Sequence, residues 1–358
     1  MKNVLITGAA GFIGSNFVHY WMTKYPDHQV TILDALTYAG NKHNLKDLEN
    51  NPNLSLVVGS ICDNELVAAL LREKEIDTLI HFAAESHVDR SITGPDEFID
   101  TNIVGTHVLL RNAKDYWLGG ETPKPHHFHH VSTDEVYGTL AADDPAFSET
   151  TAYAPNSPYA ASKAASDHLV RAYHHTFGLN VTTSNCSNNY GPFHFPEKLI
   201  PLCLLNILEG RPLPIYGDGQ QIRDWLYVDD HSQGIDLVIS KGRLGETYNI
   251  GGNNEWANID VVNLLCKIVD DRFQTDSALA SRFPDSPCAS GTPANSLITY
   301  VTDRPGHDTR YAIDAEKIMN ELGYKPEEDF DSGLNKTVDW YLSNEIWWRA
   351  IQDGSYRS

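Results

Sequence analysis

Val4-Leu5-Ile6-Thr7-Gly8-Ala9-Ala10-Gly11-Phe12-Ile13-Gly14 decides the fold of this chain. Three apolar residues and a threonine predict a short buried strand, the glycines a tight turn, and the amphipathic run over residues 15–24 a helix. That order gathers unpaired backbone N–H groups and the positive end of a helix dipole, a combination suited to a pyrophosphate. The spacing is GxxGxxG rather than GxGxxG, and a turn made only for packing would use the same residues. A second strand over residues 30–33 leads into Asp34, twenty positions beyond Gly14, where a carboxylate accepts hydrogen bonds from a ribose. A carboxylate there also repels a 2'-phosphate, so the expected dinucleotide is NAD rather than NADP. A helix cap or turn acid is the competing reading of Asp34.

Residues 54–59, 78–82, 127–131 and 181–186 read as further strands, with helical patterns over 64–74 and 95–116 between them. Alternation of this kind predicts an α/β fold, a doubly wound parallel sheet of Rossmann type, over residues 1–190 with returns to it near 225–250. Beyond Pro192 prolines, aromatics and longer loops take over, so residues 191–358 are expected to form mainly a smaller, mixed C-terminal lobe. Residues 275–296 have no clear period and predict a loop. A last helix, over about 332–351, carries Trp340, Tyr341, Trp347 and Trp348, which suit packing or a subunit contact.

A formal charge of -21 over 358 residues, with no long Lys/Arg run, argues against nucleic acid or an anionic membrane as partner. No apolar run approaches the roughly 18 residues of a membrane span. The five cysteines are scattered and form no CxxC pair, which suits reduced thiols in the cytoplasm. Met1 leads almost at once into the first strand, so no signal peptide is expected. His126, His127, His129 and His130 invite a metal reading, but a strand sends successive side chains to opposite faces, and no metal site is expected.

Chemistry concentrates in two stretches, Ser132-Thr133-Asp134-Glu135-Val136-Tyr137-Gly138 and Ser157-Pro158-Tyr159-Ala160-Ala161-Ser162-Lys163. The first lies where the strand over 127–131 ends, the edge at which open parallel sheets bind ligands. In the second, Ser157 suits a helix N-cap and Pro158 the first helical position, which puts Tyr159 and Lys163 on one face. A lysine beside a phenol favours phenolate, a base. Ser187-Asn188-Asn189-Tyr190-Gly191-Pro192 suits a turn or a ligand role equally. In the second lobe Arg223 or Arg304 can clamp a diphosphate bidentately or form a surface ion pair.

Gly8-x-x-Gly11-x-x-Gly14, Asp34 and Tyr159-x-x-x-Lys163 resemble the extended short-chain dehydrogenase/reductase superfamily. With the Thr133-Asp134-Glu135 triplet, Glu197-Lys198-Leu199-Ile200-Pro201 and Asp303-Arg304-Pro305-Gly306-His307-Asp308, the chain is most similar to the dTDP-glucose 4,6-dehydratase family. Residues 275–296 depart from the family pattern. The resemblance implies a hydro-lyase that oxidises carbon 4 of dTDP-glucose, eliminates water across carbons 5 and 6 and returns the hydride to carbon 6. It implies Tyr159, Lys163 and Thr133 for the redox step, and Glu135 as base and Asp134 as acid for elimination. For NAD it implies Gly8, Gly11, Phe12, Ile13, Gly14, Asp34, Ser60, Ile61, Ala83, Ala84, Thr101, Tyr159, Lys163 and Asn189. For the sugar nucleotide it implies Ser86, Thr133, Asn188, Lys198, Leu199, Pro214, Tyr216, Arg223, Asn258, Asp303, Arg304 and His307. A homodimer is also implied. A 4,6-dehydratase or 4-epimerase of another nucleotide sugar, and a non-catalytic NAD-binding module, are the alternatives.

Overall fold

The computed structural model describes residues 2–303 and 308–357. Its strands among these residues are β1 (Asn3–Thr7), β2 (Gln29–Asp34), β3 (Leu54–Val58), β4 (Thr78–His81), β5 (His127–Thr133) and β6 (Val181–Cys186). There follow β7 (Asn188–Tyr190), β8 (Leu213–Tyr216), β9 (Ile222–Tyr227), β10 (Thr247–Ile250), β11 (Glu255–Ala257) and β12 (Ile298–Val301). Seven of them form one sheet in the order β10-β6-β5-β4-β1-β2-β3, and every neighbouring pair is parallel. The chain winds outward from β1 to β3, then crosses back to β4 on the other side of β1. The strand ends of β1 and β4 therefore flank the topological switch point, where such sheets open a crevice.

Alternation along the strands divides the core between the two faces of this sheet. Val4, Ile6, Ile32 and Ile80 pack with Phe17, Val18 and Trp21 of the helix Phe12–Lys24 and with Ile235, Val238 and Ile239 of the helix Val228–Lys241. Leu5, Leu33, Leu79 and Phe128 point the other way, against Val67 and Leu71 of Asn64–Glu73, Leu109 and Trp117 of Thr106–Leu118 and Val170 of Pro158–Phe177. Both faces are covered, as a parallel sheet requires.

Two small sheets, β11-β9-β7 and β12-β8, belong to a second apolar cluster in which Leu204, Leu208, Val262, Leu265, Val338 and Trp348 are buried. After this lobe begins, the helix Val228–Lys241 and β10 return to the large sheet, β10 pairing with β6. The segment expected as a loop at 275–296 is instead a chain of short helical turns, Ala278–Arg282, Pro287–Ser290 and Ala294–Leu297. Leu279, Phe283, Cys288 and Ala294 are buried at irregular spacings, which is why no period shows in the sequence. Asp270 gathers the turns from outside the segment, accepting from the Cys288 thiol at 3.2 Å and the Ala294 N–H at 2.9 Å. The last helix is broken at Asn344 into Phe330–Ser343 and Glu345–Gln352. Among the described residues no helix is long and apolar enough to cross a membrane.

Candidate active site

β5 ends at Thr133, and Asp134–Tyr137 is a tight 3-10 turn. The Thr133 hydroxyl accepts from the Glu135 N–H and donates to Asp134 Oδ1, each at 3.3 Å. Gly138 closes the turn at φ 97°, where an added Cβ would lie 2.5 Å from the Ala154 carbonyl oxygen. With the strand over, Asp134 and Glu135 escape its alternation and both line the same cavity. Opposite them, the Ser157 hydroxyl accepts from the Ala160 N–H at 3.1 Å and starts the helix Pro158–Phe177 with proline in its first turn. Tyr159 and Lys163, one turn apart, are buried on the cavity side of that helix.

Burial separates the ionisable groups of this cluster. Asp134 is 2% exposed, and desolvation, then the negative charges of Glu135 and Asp224, hold its carboxyl well above the usual range; Arg223 pulls the other way. Its Oδ2 has no hydrogen-bond partner among the described residues. Burial and the neighbouring carboxylate thus both favour its protonated form, the form that can deliver a proton. Tyr159 is also pushed well above the ordinary phenol range, by burial first and Glu135 second, against a hydrogen bond to Thr133. Lys163 donates to the Val131 carbonyl at 2.8 Å, and burial lowers its pKa. The polypeptide alone therefore favours the phenol, not the phenolate that the Tyr159–Lys163 spacing suggests.

The cavity, about 900 Å³, runs from the switch point to the second lobe and is at the upper end of ligand-sized pockets. At one end Gly8 has φ 71°, and a Cβ there would meet the Ala83 backbone at 2.5 Å. A Cβ on Gly14 would lie 2.6 Å from the Gly8 carbonyl oxygen. Gly8 and Gly14 thus let the turn, the helix Phe12–Lys24 and the end of β4 pack backbone against backbone, and with Gly11 they line the cavity beneath the helix's first turn, a cradle suited to a pyrophosphate. Asp34 is buried and accepts from the Ala10 and Leu36 N–H groups, each at 2.8 Å, which fixes its carboxylate and leaves lone pairs for a ribose. Gly11, Phe12, Ile13, Ser60, Ile61, Ala83, Ala84, Thr101 and Asn189 all line the same space. His231 holds Asn189 in place through a hydrogen bond of 2.8 Å.

At the other end the wall holds Ser86, Asn188, Lys198, Leu199, Pro214, Tyr216, Arg223 and Asn258. Arg223 is buried on the cavity wall, donates to the Ile222 and Asp308 carbonyls at 2.7 and 2.9 Å and lies 4.3 Å over the Tyr311 ring. Asp303 is not on the wall; it accepts from Gln221 at 3.0 Å. Arg304 and His307 lie outside the described residues. Sequence reasoning missed Tyr38, Glu85, His87, Cys186, Tyr311 and Asp308 as lining groups. Asp308 stood in a conspicuous motif, but Tyr311 and Cys186 carry no local signal. Arg90, on the short helix Val88–Thr93, lies 3.7 Å over the Tyr38 ring and 3.6 Å from Glu197.

A model of the GDP-mannose 4,6 dehydratase family matches residues 5–337. A dTDP-glucose 4,6-dehydratase of Xanthomonas campestris is 55% identical over 359 residues, covering 100% of this chain and 98% of that one. Among solved structures, the Bacillus anthracis dTDP-glucose 4,6-dehydratase in complex with NAD is 44% identical with a TM-score of 0.84, covering 98% of this chain and 100% of its own. The Streptomyces venezuelae dTDP-glucose 4,6-dehydratase, also with NAD bound, is 45% identical at the same TM-score and coverage.

Proposed function

Because this chain belongs to the dTDP-glucose 4,6-dehydratases, within the wider GDP-mannose 4,6 dehydratase family, we propose the following division of labour for its residues. The reaction is the conversion of dTDP-glucose to dTDP-4-dehydro-6-deoxy-glucose with NAD. The glycine cradle and the fixed Asp34 carboxylate fit the dinucleotide, with Gly8, Gly11 and Gly14 under the pyrophosphate and Asp34 on the ribose. NAD, when bound, supplies the reversible hydride acceptor and, in its oxidised ring, a positive charge that lowers a neighbouring phenol.

Tyr159 takes the proton of the 4-hydroxyl while Thr133 hydrogen-bonds the same oxygen. The hydrogen on carbon 5 is then α to a ketone and acidic enough for a carboxylate. Glu135 removes it, and Asp134 gives its proton to the departing 6-hydroxyl, which leaves as water. The observation that carries this reading is the 3-10 turn Asp134–Tyr137, in which a buried carboxyl whose pKa is raised stands next to a second carboxylate on the cavity that Tyr159 also lines. Two such acids divide the work of an elimination as acid and base. A 4-epimerase needs neither.

Substrate bearing deuterium at carbon 4 tests it: the label is expected at carbon 6 of the product, and its loss to solvent would refute internal return. Arg223 and Lys198 are assigned to the diphosphate and Asn188, Ser86, Pro214, Tyr216 and Asn258 to the rest of the sugar nucleotide. A cytoplasmic homodimer is part of the same reading. Five unpaired cysteines support the compartment, and the exposed apolar side chains Ile99 and Val104, on one helical segment, support a contact between copies. Light scattering at micromolar concentration decides the assembly.

A further inference from the structure

The loop that follows β2 closes on the carboxylate assigned to the ribose, and it does so in a conformation that an L-residue rarely takes. Leu36 has φ 49°, and from this left-handed position its N–H meets Asp34 Oδ1 at 2.8 Å. The chain then folds back, so that a Cβ on Gly40 would lie 3.0 Å from the same oxygen and 2.9 Å from the Leu36 Cα. Thr37, Tyr38, Ala39 and Gly40 line the cavity beside Asp34. A non-glycine residue in the left-handed region persists only where its surroundings over-determine it. What fastens residues 35–44 therefore also fastens one wall of the dinucleotide site.

Two of the ties are local. The Asn41 N–H and the Asn44 side-chain amide both donate at 2.9 Å to the carbonyl of Ala10, in the glycine turn. Two others come from more than three hundred positions further along the chain. The Tyr356 hydroxyl donates to the Tyr38 carbonyl at 2.6 Å, and the Trp347 indole N–H donates to Asn44 Oδ1 at 2.8 Å. Tyr356, on the turn Ser355–Arg357, is 5% exposed, and the Arg357 Nε–H donates to its hydroxyl at 2.9 Å, which leaves the single hydroxyl proton for Tyr38. Phe195 meets both rings edge-on, 6.3 Å from Tyr356 and 5.8 Å from Tyr38 between centroids. Trp348 buries the helix Glu345–Gln352 in the second apolar cluster, whereas the polar atom of its neighbour Trp347 goes to the loop.

We propose that Tyr356 and Trp347 are positioning residues for the cofactor: by pinning residues 35–44 against Asp34 they slow the release of NAD. The inference rests on the dinucleotide site assigned above. The reaction gives these ties a use. The hydride taken from carbon 4 is returned to carbon 6, so the reduced cofactor has to stay in place between the two transfers, and its escape would leave an oxidised sugar with no hydride to recover. Asp34 alone does not ensure this, because the loop that steadies it through the Leu36 N–H holds a left-handed residue that relaxes once the loop is let go. Retention of NAD is thus governed in part by two side chains that are not on the cavity wall.

Tyr356→Phe and Trp347→Phe each keep an aromatic ring and remove the donor. Protein loaded with radiolabelled NAD is chased with an excess of unlabelled NAD, and the label retained is followed with time. Each variant should release NAD about 2–10-fold faster than wild type, the effect of one hydrogen bond, and the double variant faster than either. Amide hydrogen exchange over residues 36–44 of the loaded protein should quicken with it. Unchanged release, or faster release with unchanged exchange in the loop, overturns the proposal. A merely structural role would lower the melting temperature of NAD-free and NAD-loaded protein by the same amount. Ties that pre-organise the loop should instead shrink the rise in melting temperature that NAD confers, and equal losses overturn the proposal. Should one variant not fold, the other is judged by the same criteria; failure of both to fold would give the two residues to the fold rather than to the cofactor and refutes the assignment. Wild-type protein that keeps no labelled NAD would count against the assigned dinucleotide site, whereas retention by wild type with unchanged release in the variants counts against the ties.

Discussion

Asp134→Asn separates the two halves of the reaction, because the structure predicts opposite signs for its effects on stability and on turnover. The side chain is 2% exposed and its carboxyl is held well above the usual range, chiefly by burial. In the unfolded chain the same group ionises above about pH 3.9. A folded-state pKa raised in this way means that wild-type stability falls as pH rises from the unfolded value toward the folded one. An amide of the same shape escapes that penalty, so the variant is expected to melt no lower than wild type at neutral pH. Elimination should suffer instead. A positioned general acid contributes about 10²–10⁴-fold, or roughly 3–5 kcal/mol of barrier at about 1.4 kcal/mol per tenfold. Carbon 4 oxidation, assigned above to Tyr159 and Thr133, should survive, so the near-ultraviolet absorbance of reduced nicotinamide should build up when dTDP-glucose is mixed with the variant. Rapid mixing, product analysis and a melting curve on one preparation cover all three expectations. Overall turnover within about tenfold of wild type would remove Asp134 from the acid role. Loss of oxidation in parallel with elimination, in a protein that still melts as wild type does, would refute the division between the two steps.

Other parts of the molecule respond to narrower tests. Asp34→Ala removes the carboxylate expected on the ribose; loss of a hydrogen bond to a charged group, about 1.5–3 kcal/mol, should weaken NAD binding by roughly 10–100-fold in calorimetry. Unaltered affinity would place the ribose elsewhere. His127 is buried against Thr182 at 2.8 Å, and burial lowers its pKa to about 4, against about 6.5 unfolded. It is neutral in both states above the unfolded value, so its cost appears only as pH falls through that window, reaching on the order of 3 kcal/mol near pH 4. His127→Gln should therefore lose less melting temperature than wild type between about pH 7 and pH 4, and parallel losses would show that the imidazole is not the group responsible.

The features legible in the sequence are those whose cause is local. A strand, three glycines and an acid twenty residues on depend on neighbouring residues, and the structure sets Gly8 at φ 71° against Ala83 and locks Asp34 with two backbone N–H groups. The β–α alternation likewise yielded the parallel sheet, since each unit must cover its own strand. The substrate end was harder to read. Arg223, Tyr311 and Asp308 meet across more than eighty residues, and a cavity wall made by such a meeting has no period or spacing. The turns over 275–296 escaped for the same reason: Asp270 organises them from the preceding helix.

Energetic sign is less legible than adjacency. Tyr159 and Lys163 stand one turn apart on the inner face of the helix, as four-residue spacing dictates. Adjacency suggests that the ammonium lowers the phenol, yet the hydrogen bond of Lys163 goes to Val131, and burial with Glu135 dominates at Tyr159. The same burial favours the protonated form of Asp134. On the proposed roles, one physical term thus favours the acid and opposes the phenolate. At the Thr133-Asp134-Glu135 turn residue type and environment point the same way: the strand ends at Thr133, and burial favours the protonated form of Asp134, the state that the proposed acid needs.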